Sequence, residues 1–381
     1  KFKFNRDTYN NREKTTKKPT YNYNWDTDVY TEISSTQSEQ TIYNYESYTN
    51  YFNQQYFLTW NKKFGDHNAS AMAVYESLSG YNEWFEASRR RYEIDIDYLF
   101  AGPDLDKTNN GSATESGRKG FVFRLNYDYK GKYLVEINSR YDASAKFPPE
   151  TRWGFFPSAS LAWRISEEQF MKNSIPFLTN LKLRASYGKL GYDDTGNFQY
   201  LATYSISGTN IYDSATNVLT KGIRSDAIPN REITWEKMST SNVGVDFNLW
   251  KNLLEGSFDF FYRLRTDVLG TRLQSIPNTV GASMPQVNYA KYDNRGLEFS
   301  LNHINRIGSL DYSLGGNISW NREKTVFVDQ AAFTNDEARR RGNRIGEWTD
   351  NFWAYMTDGF FQTKEEIYYW ADQDGKNNAT I

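Results

Sequence analysis

Residues 120–164 read GFVFRLNYDYKGKYLVEINSRYDASAKFPPETRWGFFPSASLAWR, and this stretch decides the fold class. Apolar Phe121, Phe123 and Leu125 alternate with polar residues such as Arg124. Successive side chains of a β-strand point to opposite faces, so a period of two predicts strands with one apolar and one polar face. The segments 133–142 and 155–164 show the same alternation of apolar and polar residues. The stretch therefore predicts three neighbouring two-faced strands.

The length of these strands distinguishes a membrane barrel from a soluble sheet. Trp153 and Trp163 share parity and lie 10 residues apart. At about 3.3 Å per residue and a tilt of about 40°, that separation spans about 25 Å along a barrel axis. This is the height of the lipid-facing band between two aromatic girdles. Ordinary globular strands are shorter, at about five or six residues. The spacing favours a transmembrane β-barrel over a soluble sandwich.

Composition fits a barrel and excludes a helical membrane protein. Hydrophobic residues make up 38% of the 381 residues, and the mean hydropathy is −0.79. The sequence has no apolar run near the roughly 18 residues that a membrane helix needs. A barrel tolerates this polarity because half of each strand faces a wet lumen. Aromatic residues reach 17%, which suggests a bilayer interface or a carbohydrate site.

Charge and cysteine content narrow the function classes. The net charge of −2 gives no field that would gather nucleic acid over the whole surface. The triplets at 89–91 and 339–341 are interpreted as solvated loop arginines, with contacts to anionic lipopolysaccharide or an acidic ligand as the alternative. Cysteine is absent, which removes disulfides, thiolate metal sites and cysteine nucleophiles. The first residues contain no apolar signal-peptide core, so we expect a processed chain or a piece of a longer one.

Short and long connections alternate along the chain. The predicted strands are 54–63, 68–79, 117–129, 133–142, 155–165, 180–188, 234–249, 253–264, 294–303 and 310–321. Tight turns are expected at 64–66, 130–132, 251–252 and 307–309, and longer connections at 80–116, 143–152, 189–233 and 265–293. Outer-membrane barrels have short periplasmic turns and long external loops. In a soluble sandwich, short and long connections are not expected to lie at opposite ends of the sheet.

Two stretches interrupt the alternation. Residues 166–172 predict a short helix capped by Ser166 on the short-turn side. Residues 92–98 alternate cleanly and predict either an extension above the membrane or an additional strand. The chain then divides into three parts. They are an extracellular loop region with the approach to the first strand at 1–53, transmembrane strands with external loops at 54–321, and an extracellular loop region at 322–381.

Eight short motifs follow one another in the order and approximate spacing of a known family. They are RLNYDYKGKYL at 124–134, RYD at 140–142, RWGFFPS at 152–158, AWRISE at 162–167, LKLRASYG at 181–188, TWEK at 234–237, NRGLEF at 294–299 and TDGFFQ at 357–362. On these motifs, residues 54–365 resemble the barrel of the SusC/RagA-like TonB-dependent transporters of Bacteroidetes outer membranes.

The resemblance implies an architecture and a function. The fold class is all-β, as part of a large antiparallel transmembrane barrel that in this class has about 22 strands around a plugged lumen. The implied function is import of large nutrients, glycans first and peptides as the alternative, driven by energy passed through TonB. A SusD-like surface lipoprotein would close the barrel as a lid. The family's plug and TonB-contacting segment have no counterpart in this sequence, so we expect a partial barrel.

The sequence predicts no catalytic, metal or cofactor site. His67 follows a turn and His303 ends a strand, and neither has a partner at catalytic or metal-ligand spacing. Residues 372–377 resemble a calcium loop, but the glycine stands at the fourth position rather than the sixth. We interpret them as a turn, with a calcium site of another kind as the alternative. We assign no reaction.

Binding is expected in the external loops and the lumen, because sugars bind to aromatic platforms edged by polar side chains. Candidate substrate-binding residues are Trp84, Phe85, Trp348, Trp353, Tyr355 and Trp370. The alternative for each is packing within its own loop. Lumen-facing charges predicted by parity are Arg124, Arg140, Arg184, Asp246, Asp259 and Glu298. These are expected to form charge ladders or plug contacts.

The opposite face is expected to contact outer-membrane lipid. The predicted lipid-facing residues are Phe121, Phe123, Leu125, Tyr127, Val135, Ile137, Leu161, Trp163, Val243, Val245, Phe258, Phe260, Leu297, Phe299, Leu314 and Ile318. Two other classes remain open from the residues. A passive porin would share these strands without plug or energy coupling, and a surface adhesin would share the aromatics without the parity of the connections.

Overall fold

The computed structural model describes residues 2–15, 21–32, 41–92, 96–213, 218–225, 228–272, 283–354, 356 and 359–369. Fifteen strands occur in that part of the chain. They are β1 (Phe2–Thr15), β2 (Tyr21–Asn24), β3 (Val29–Glu32), β4 (Thr41–Phe64), β5 (His67–Arg90), β6 (Lys107–Tyr129), β7 (Tyr133–Ser144), β8 (Trp153–Arg164), β9 (Leu178–Tyr192), β10 (Tyr204–Asp213), β11 (Val218–Ser225), β12 (Glu236–Leu249), β13 (Leu254–Thr271), β14 (Gln286–Ile307) and β15 (Leu310–Phe327).

Eleven of these strands form one antiparallel sheet in the order β1-β4-β5-β6-β7-β8-β9-β12-β13-β14-β15. The hairpins β2–β3 and β10–β11 are separate two-stranded sheets inserted in long connections. Each strand of the large sheet pairs with its neighbours along the chain, so the chain runs up and down as a meander. All ten predicted strands are present, and the all-β class with a large antiparallel sheet is confirmed. The eleventh strand, β1, was not predicted because its sequence FKFNRDTYNNREKT is polar on both faces.

The strands near the beginning of the chain are much longer than predicted. β4 and β5 each have 24 residues, and β6 has 23. The connection expected at 80–116 is therefore wrong for most of its length, and only 91–106 joins β5 to β6. The connection expected at 265–293 narrows in the same way to 272–285. Backbone pairing continues into segments whose polar side chains gave no strand signal in the sequence.

The short connections lie at one end of the sheet, here called the short-turn end, and the long connections lie at the other, the long-loop end. Gly131 and Gly308 have φ values of 62° and 64° in two of the short turns. A left-handed conformation costs glycine little because it has no Cβ. The alternation predicted from the sequence is thus present in the fold.

The helix predicted at 166–172 lies later in the chain. A 3₁₀ turn occupies Ile165–Glu167 and helix α1 spans Gln169–Ser174, so Glu168 is the N-cap. Ser166 does not cap it, because its hydroxyl is buried without a hydrogen-bond partner among the described residues. The side chain of Glu168 instead binds neighbouring groups at the short-turn end, including the Tyr133 hydroxyl at 2.7 Å.

The other helices lie in long connections. Helix α2 (Asp336–Gly342) begins at Asn335, whose side chain accepts a hydrogen bond from the Ala338 amide at 2.7 Å. Helix α3 spans Lys364–Tyr369. The second predicted interruption, 92–98, is not a strand in its described residues, which lead into a 3₁₀ turn at Leu99–Ala101. No helix in the described residues is long and apolar enough to cross a membrane.

The sixteen residues predicted to face lipid lie on one face of the sheet, here called the outer face. The register of the strands keeps these side chains on the same face from one strand to the next. Val245 lies opposite Phe258, Phe258 opposite Phe299, and Phe299 opposite Ile318. All sixteen are exposed or half-buried, so the described residues contain no second sheet packed on them. The opposite, inner face carries the predicted lumen charges.

Aromatic rings mark both ends of the apolar band on the outer face. At the long-loop end, Trp153 stacks on Tyr141 with ring centroids 4.6 Å apart. At the short-turn end, Trp163 stacks on Tyr133 at 6.4 Å, and its indole N–H donates to Glu168 at 3.3 Å. Amphipathic rings are enriched where apolar and polar phases meet. The predicted girdles are therefore present in the structure.

Candidate functional site on the inner face

An ion cluster lies at the middle of the inner face. Arg184 on β9 reaches across Gly244 on β12 to Asp259 on β13, where its two Nη atoms donate to the carboxylate at 2.6 and 2.7 Å. Its Nε also donates to Asp246 at 3.1 Å. A Cβ at position 244 would lie 2.6 Å from Asp259 Oδ1. The glycine therefore leaves the space through which the guanidinium passes.

A second cluster occupies the inner face nearer the long-loop end. Arg140 donates to Asp142 on its own strand at 2.9 Å and lies 3.5 Å from Glu76 on β5. Arg124 Nε donates to the side-chain oxygen of Asn138 at 2.7 Å. The prediction that these charges share a face and form ladders is confirmed for the two clusters.

A polar hollow of about 570 Å³ lies along the inner face near the short-turn end. Its lining includes Asn61, Lys63, Asn126, Asp128, Glu136 and Lys182. Both signs of charge alternate with amides, so the surface suits hydrated or polar contents rather than a lipid tail. This wall is chemically the opposite of the outer face.

A buried apolar cluster closes over the inner face at the long-loop end. Phe147, Phe156, Ile233 and Trp235 pack together, with Phe147 and Ile233 fully buried. Phe147 and Phe156 lie 5.4 and 5.3 Å from the Trp235 ring, measured between centroids. The cluster joins the β7–β8 connection to the segment before β12. Burial of these side chains stabilises two long connections against the barrel wall.

Hydrogen bonds reinforce this junction. The Thr151 hydroxyl donates to the Ile233 carbonyl at 2.7 Å, and the Thr234 hydroxyl donates to the Thr151 carbonyl at 2.9 Å. The indole of Trp235 donates to the Arg152 carbonyl at 2.8 Å. The two connections are therefore held by backbone groups as well as by apolar contact.

The hairpin of β13 and β14 joins the same junction through Asn288 on β14. Its side-chain nitrogen donates to the Thr234 and Asp267 carbonyls at 2.9 and 2.8 Å. Its side-chain oxygen accepts from the Thr234 amide at 2.9 Å. We call the residues 147, 151–152, 233–235 and 288 the collar. Sequence reasoning missed the collar because its hydrogen-bonded partners lie 54 to 83 residues apart.

An ion pair links the end of β9 to β6 and β7 just outside the apolar band. Arg118 donates to the carboxylate of Asp193, and Lys146 Nζ donates to the Asp193 carbonyl at 3.1 Å. Burial pushes the pKa of Asp193 upward, but hydrogen bonds from Arg118 and Ser144 outweigh it, so the net pKa lies below the ordinary value of 3.8. The carboxylate is therefore held in its charged form.

The inner face of the long hairpin at the long-loop end carries stacked rings. Trp84 on β5 stacks on Tyr45 of β4 at 5.9 Å and 21°, and Tyr45 meets Tyr9 of β1 edge-on at 6.1 Å. We call these three residues the aromatic stripe. Beside it, the Tyr43 hydroxyl donates to Glu86 at 2.8 Å, which raises the Tyr43 pKa to about 12. Flat apolar rings edged by carboxylates, hydroxyls and amides form a surface that can bind sugars.

The structure does not bring the six predicted substrate-binding residues together. Phe85 follows Trp84 on β5 and therefore lies on the opposite face, half-exposed. Trp348 pairs with Lys324 in a bridge beside β15, eight strands away from β5 in the sheet order. Trp353 is exposed, with the Arg340 guanidinium 5.8 Å from its ring. Tyr355 and Trp370 lie outside the described residues.

Two residues of the aromatic stripe, Tyr9 and Tyr45, were missed by the sequence analysis. The spacing of tyrosines in YNYESYTNY at 43–51 was the available signal. That spacing gives no binding signal when 1–53 is interpreted as a loop region, because side chains alternate between two faces only in a strand. Pairing β4 with β1 and β5 turns those tyrosines into neighbours of Trp84.

Histidine and acidic residues of the described chain do not form a metal site. Those residues contain no group of three or more His, Cys, Asp or Glu that could hold an ion. His67 Nδ1 lies 2.7 Å from the Tyr127 hydroxyl, and His303 Nε2 lies 3.1 Å from the Tyr312 hydroxyl. Both histidines thus pair with strand tyrosines. The candidate calcium loop at 372–377 lies outside the described residues.

A meander of two-faced strands, with an apolar face between aromatic girdles and a charged opposite face, defines the wall of an outer-membrane β-barrel. The chain belongs to the TonB dependent receptor-like, beta-barrel family, whose model matches residues 1–380. Its relatives are outer-membrane proteins, so the predicted localisation and family are confirmed.

Individual relatives agree with this assignment. TonB-dependent receptor P3 of Formosa agariphila is 30% identical over 335 residues, covering 85% of this chain and 33% of its own length. TonB-dependent receptor SusC of Bacteroides thetaiotaomicron is 33% identical over 259 residues, covering 64% of this chain and 25% of its own length.

Solved structures show the same fold. The RagAB peptide importer in the 'open-open' state matches with a TM-score of 0.72 at 21% identity, over 87% of this chain and 35% of that one. The 'closed-closed' state matches with a TM-score of 0.70 at 20% identity, over 85% and 34%. The chain thus spans about a third or less of the length of the relatives it matches.

Proposed function

We propose that the whole protein is a TonB-dependent importer of large nutrients and that this chain forms part of its barrel wall. The family assignment supports this, and so does the contrast between the apolar outer face and the charged inner face. A wall of this kind separates lipid from a polar path. We assign no reaction, since the relatives are named as receptors.

We propose glycans as the substrate class. The observation that carries this choice is the aromatic stripe of Tyr9, Tyr45 and Trp84, because stacked rings offer binding energy to the apolar faces of sugar rings. Neighbouring Asn82 and Glu86 can bind sugar hydroxyls. Peptides are the second candidate, because the matched RagAB structures are those of a peptide importer.

Trp353 is proposed as a second ligand contact. It borders a hollow of about 500 Å³ lined also by Tyr292, Asn343 and Arg344. Tyr292 lies on the inner face opposite Thr325 of β15. Phe85 is not retained as a lumen contact, because it lies on the other face of its strand. Nor is Trp348 retained, because it lies opposite Lys324 on the outer face.

We propose that a SusD-like surface lipoprotein covers the long-loop end and that TonB acts through a segment outside this chain. The collar supports the first point, because it gives two long connections a fixed base on which a lid can rest. The hairpin β4–β5 also supports it, since its polar outer face beyond Tyr56 and Tyr75 suits water rather than lipid. We propose on the same ground that 1–53 and 322–381 lie outside the membrane.

Ligand binding to the full-length protein tests the substrate class. Calorimetry with mixed neutral oligosaccharides and, separately, with mixed peptides should give heat only with the sugars. Trp84→Ala should weaken sugar binding by about 1 to 3 kcal/mol, the usual cost of losing a buried aromatic contact. Phe85→Ala is the matched control on the opposite face and should bind normally. Peptide binding with no sugar binding would reverse the choice.

Uptake in cells tests the transport proposal itself. Cells that depend on the protein should lose growth on the bound nutrient when TonB is deleted or the proton gradient is collapsed. A mild-detergent pull-down with the full-length protein should recover a surface lipoprotein. Uptake that continues without TonB would instead favour the porin alternative.

A further inference from the structure

A cluster of cations surrounds Trp348 at the edge of the sheet. The guanidinium carbons of Arg322 and Arg295 lie 4.6 and 5.3 Å from the Trp348 ring centroid, and Lys324 Nζ lies 5.7 Å from it. The segment 346–349 pairs with β15 through the Thr325 amide and the Glu347 carbonyl at 2.9 Å. Pairing therefore fixes the ring beside the cations.

Register places this cluster on the outer face. Arg322 and Lys324 continue the parity of Leu314, Ile318 and Trp320 along β15, and Arg295 lies opposite Arg322 on β14. Trp348 lies opposite Lys324 and so shares its face. The ring and its cations therefore point away from the lumen, toward the side that faces lipid.

The height of the cluster matches the headgroup layer. From Leu310 to Trp320 the outer face of β15 covers 10 residues, or about 25 Å along the axis of a tilted strand, which is the full apolar band. Arg322 and Lys324 follow directly at the long-loop end. They lie about 5 to 10 Å beyond the band, the depth at which lipid phosphates are found.

The charges of the cluster do not cancel. Arg295 pairs with Asp293 at 3.1 Å and Arg322 with Asp350 at 3.0 Å, so three cations face two carboxylates. An anion with several acceptor oxygens would balance the excess charge.

We propose that Arg295, Arg322, Lys324 and Trp348 form a binding site for the phosphate group of a lipid in the outer leaflet. The arginines and the lysine would bind the phosphate oxygens, while the Trp348 indole packs against the headgroup. The site lies outside the path of the nutrient. It would hold one lipid at the edge between β15 and segment 346–349.

Lipid binding to the full-length protein in a neutral maltoside detergent tests the site. The probes are purified lipid A bearing its phosphates and the same lipid A after phosphate removal, counted by native mass spectrometry. We expect one phosphorylated lipid per protein to bind about tenfold tighter than its dephosphorylated form. Equal binding of the two probes would overturn the proposal.

Variants locate the site. The triple variant R295Q/R322Q/K324Q should lose the preference for the phosphorylated lipid. Lys119→Gln is the matched control, since Lys119 also lies two residues beyond the apolar band on the outer face, opposite Ser77 and Ala143. It should keep the preference. Loss in both variants equally, or in neither, would contradict the proposal.

Two further measurements keep the result interpretable. The charge-preserving variant R295K/R322K should retain most of the preference, which guards against a triple variant that fails to fold. Inorganic phosphate in the millimolar range should compete only weakly, because it lacks the acyl chains that contact the apolar band of β15. Competition by free phosphate as strong as by the lipid would show that the site does not select a lipid.

Discussion

At the residue scale, parity decides what a side chain can contact. Val245 and Asn242 lie three residues apart on β12, yet the first faces outward with Leu183 and Phe258 and the second faces inward opposite Ser186. Neither residue carries this information alone. The division arises because the strand pleat alternates side chains and both neighbouring strands keep the same register.

Val245→Arg should therefore destabilise the protein by about 2 to 4 kcal/mol, the cost of a lipid-facing arginine near the bilayer midplane. Asn242→Arg is the control, since an arginine on the inner face stays hydrated. Urea titration of the full-length protein in lipid vesicles, followed by tryptophan fluorescence, measures both. Similar costs for the two variants would show that the outer face does not contact lipid.

At Gly244, the absence of a Cβ atom allows the ion pair between Arg184 and Asp259 to form. Gly244→Ala should push Arg184 away from Asp259, because the new Cβ would lie 2.6 Å from Asp259 Oδ1 and 2.8 Å from the guanidinium carbon. We expect a loss of about 1 to 3 kcal/mol from the weakened charged hydrogen bonds. Gly316→Ala is the control, since a Cβ there has no atom within 4 Å. The same titration compares them.

At the element scale, the collar fixes long connections that have few strand contacts of their own. Phe147 is fully buried between the β7–β8 connection and the segment before β12. Ordering a loop costs about 1 to 2 kcal/mol per residue in backbone entropy. Buried rings and paired carbonyls offset that cost only where several connections share the same cluster.

Phe147→Ala should remove about 3 to 5 kcal/mol of this stabilisation by leaving a cavity. Amide hydrogen exchange should speed up at 145–152 and 230–235 while β4–β6 stay protected. Phe352→Ala, at an exposed phenylalanine of the last connection, should change neither segment. Uniformly faster exchange through all strands would mean that the cluster supports the whole sheet rather than the connections.

The ion pair of Asp193 with Arg118 should make the junction of β6 and β9 sensitive to acid. The folded pKa of Asp193 lies below its ordinary 3.8, so its stabilising effect is fully present above about pH 4 and is lost as the pH falls through the folded pKa. Asp193→Asn should cost stability at neutral pH, and this cost should shrink as the pH falls through the folded pKa of Asp193. Thermal unfolding of both proteins across that range measures the difference. A cost that does not shrink in acid would contradict the ion pair.

At the scale of the whole molecule, the eleven strands described here leave two sheet edges. At one edge β1 covers only residues 41–54 of β4, so β4 is unpaired there at 55–64. At the other edge β15 is paired over only a few residues of 346–349. Unpaired backbone groups cost several kcal/mol each in the hydrocarbon layer, so spanning sheets close into barrels. The matched relatives are about three times as long as this chain. Their additional length is enough to supply the strands that would close this sheet.

We predict that further strands and a plug in the same polypeptide complete the barrel. The intact mass of the protein purified from its native membrane should be two to three times the 44.5 kDa of this chain. Mass spectrometry after detergent removal measures it directly. A mass near 44.5 kDa would mean that this sheet closes by itself or with other subunits.

The sequence alone determined the fold class, the ten strands of the apolar band, the alternation of the connections and the faces of Arg184 and Val245. Each of these follows from a period of two and from turn residues, which are local properties. It did not determine the helix start, the long extension of β4–β6 or β1. Those depend on backbone pairing between polar segments, which leaves no hydrophobic pattern.

Only the tertiary structure decided which residues form sites. Trp84 and Trp348 looked alike in the sequence, as tryptophans in long loops. Register put Trp84 on the inner face beside Tyr45 and Tyr9, and strand pairing put Trp348 on the outer face among three cations. The physical reason is that a side chain's partners across a sheet are set by hydrogen-bonded register between strands distant in sequence, which composition and spacing within one strand do not encode.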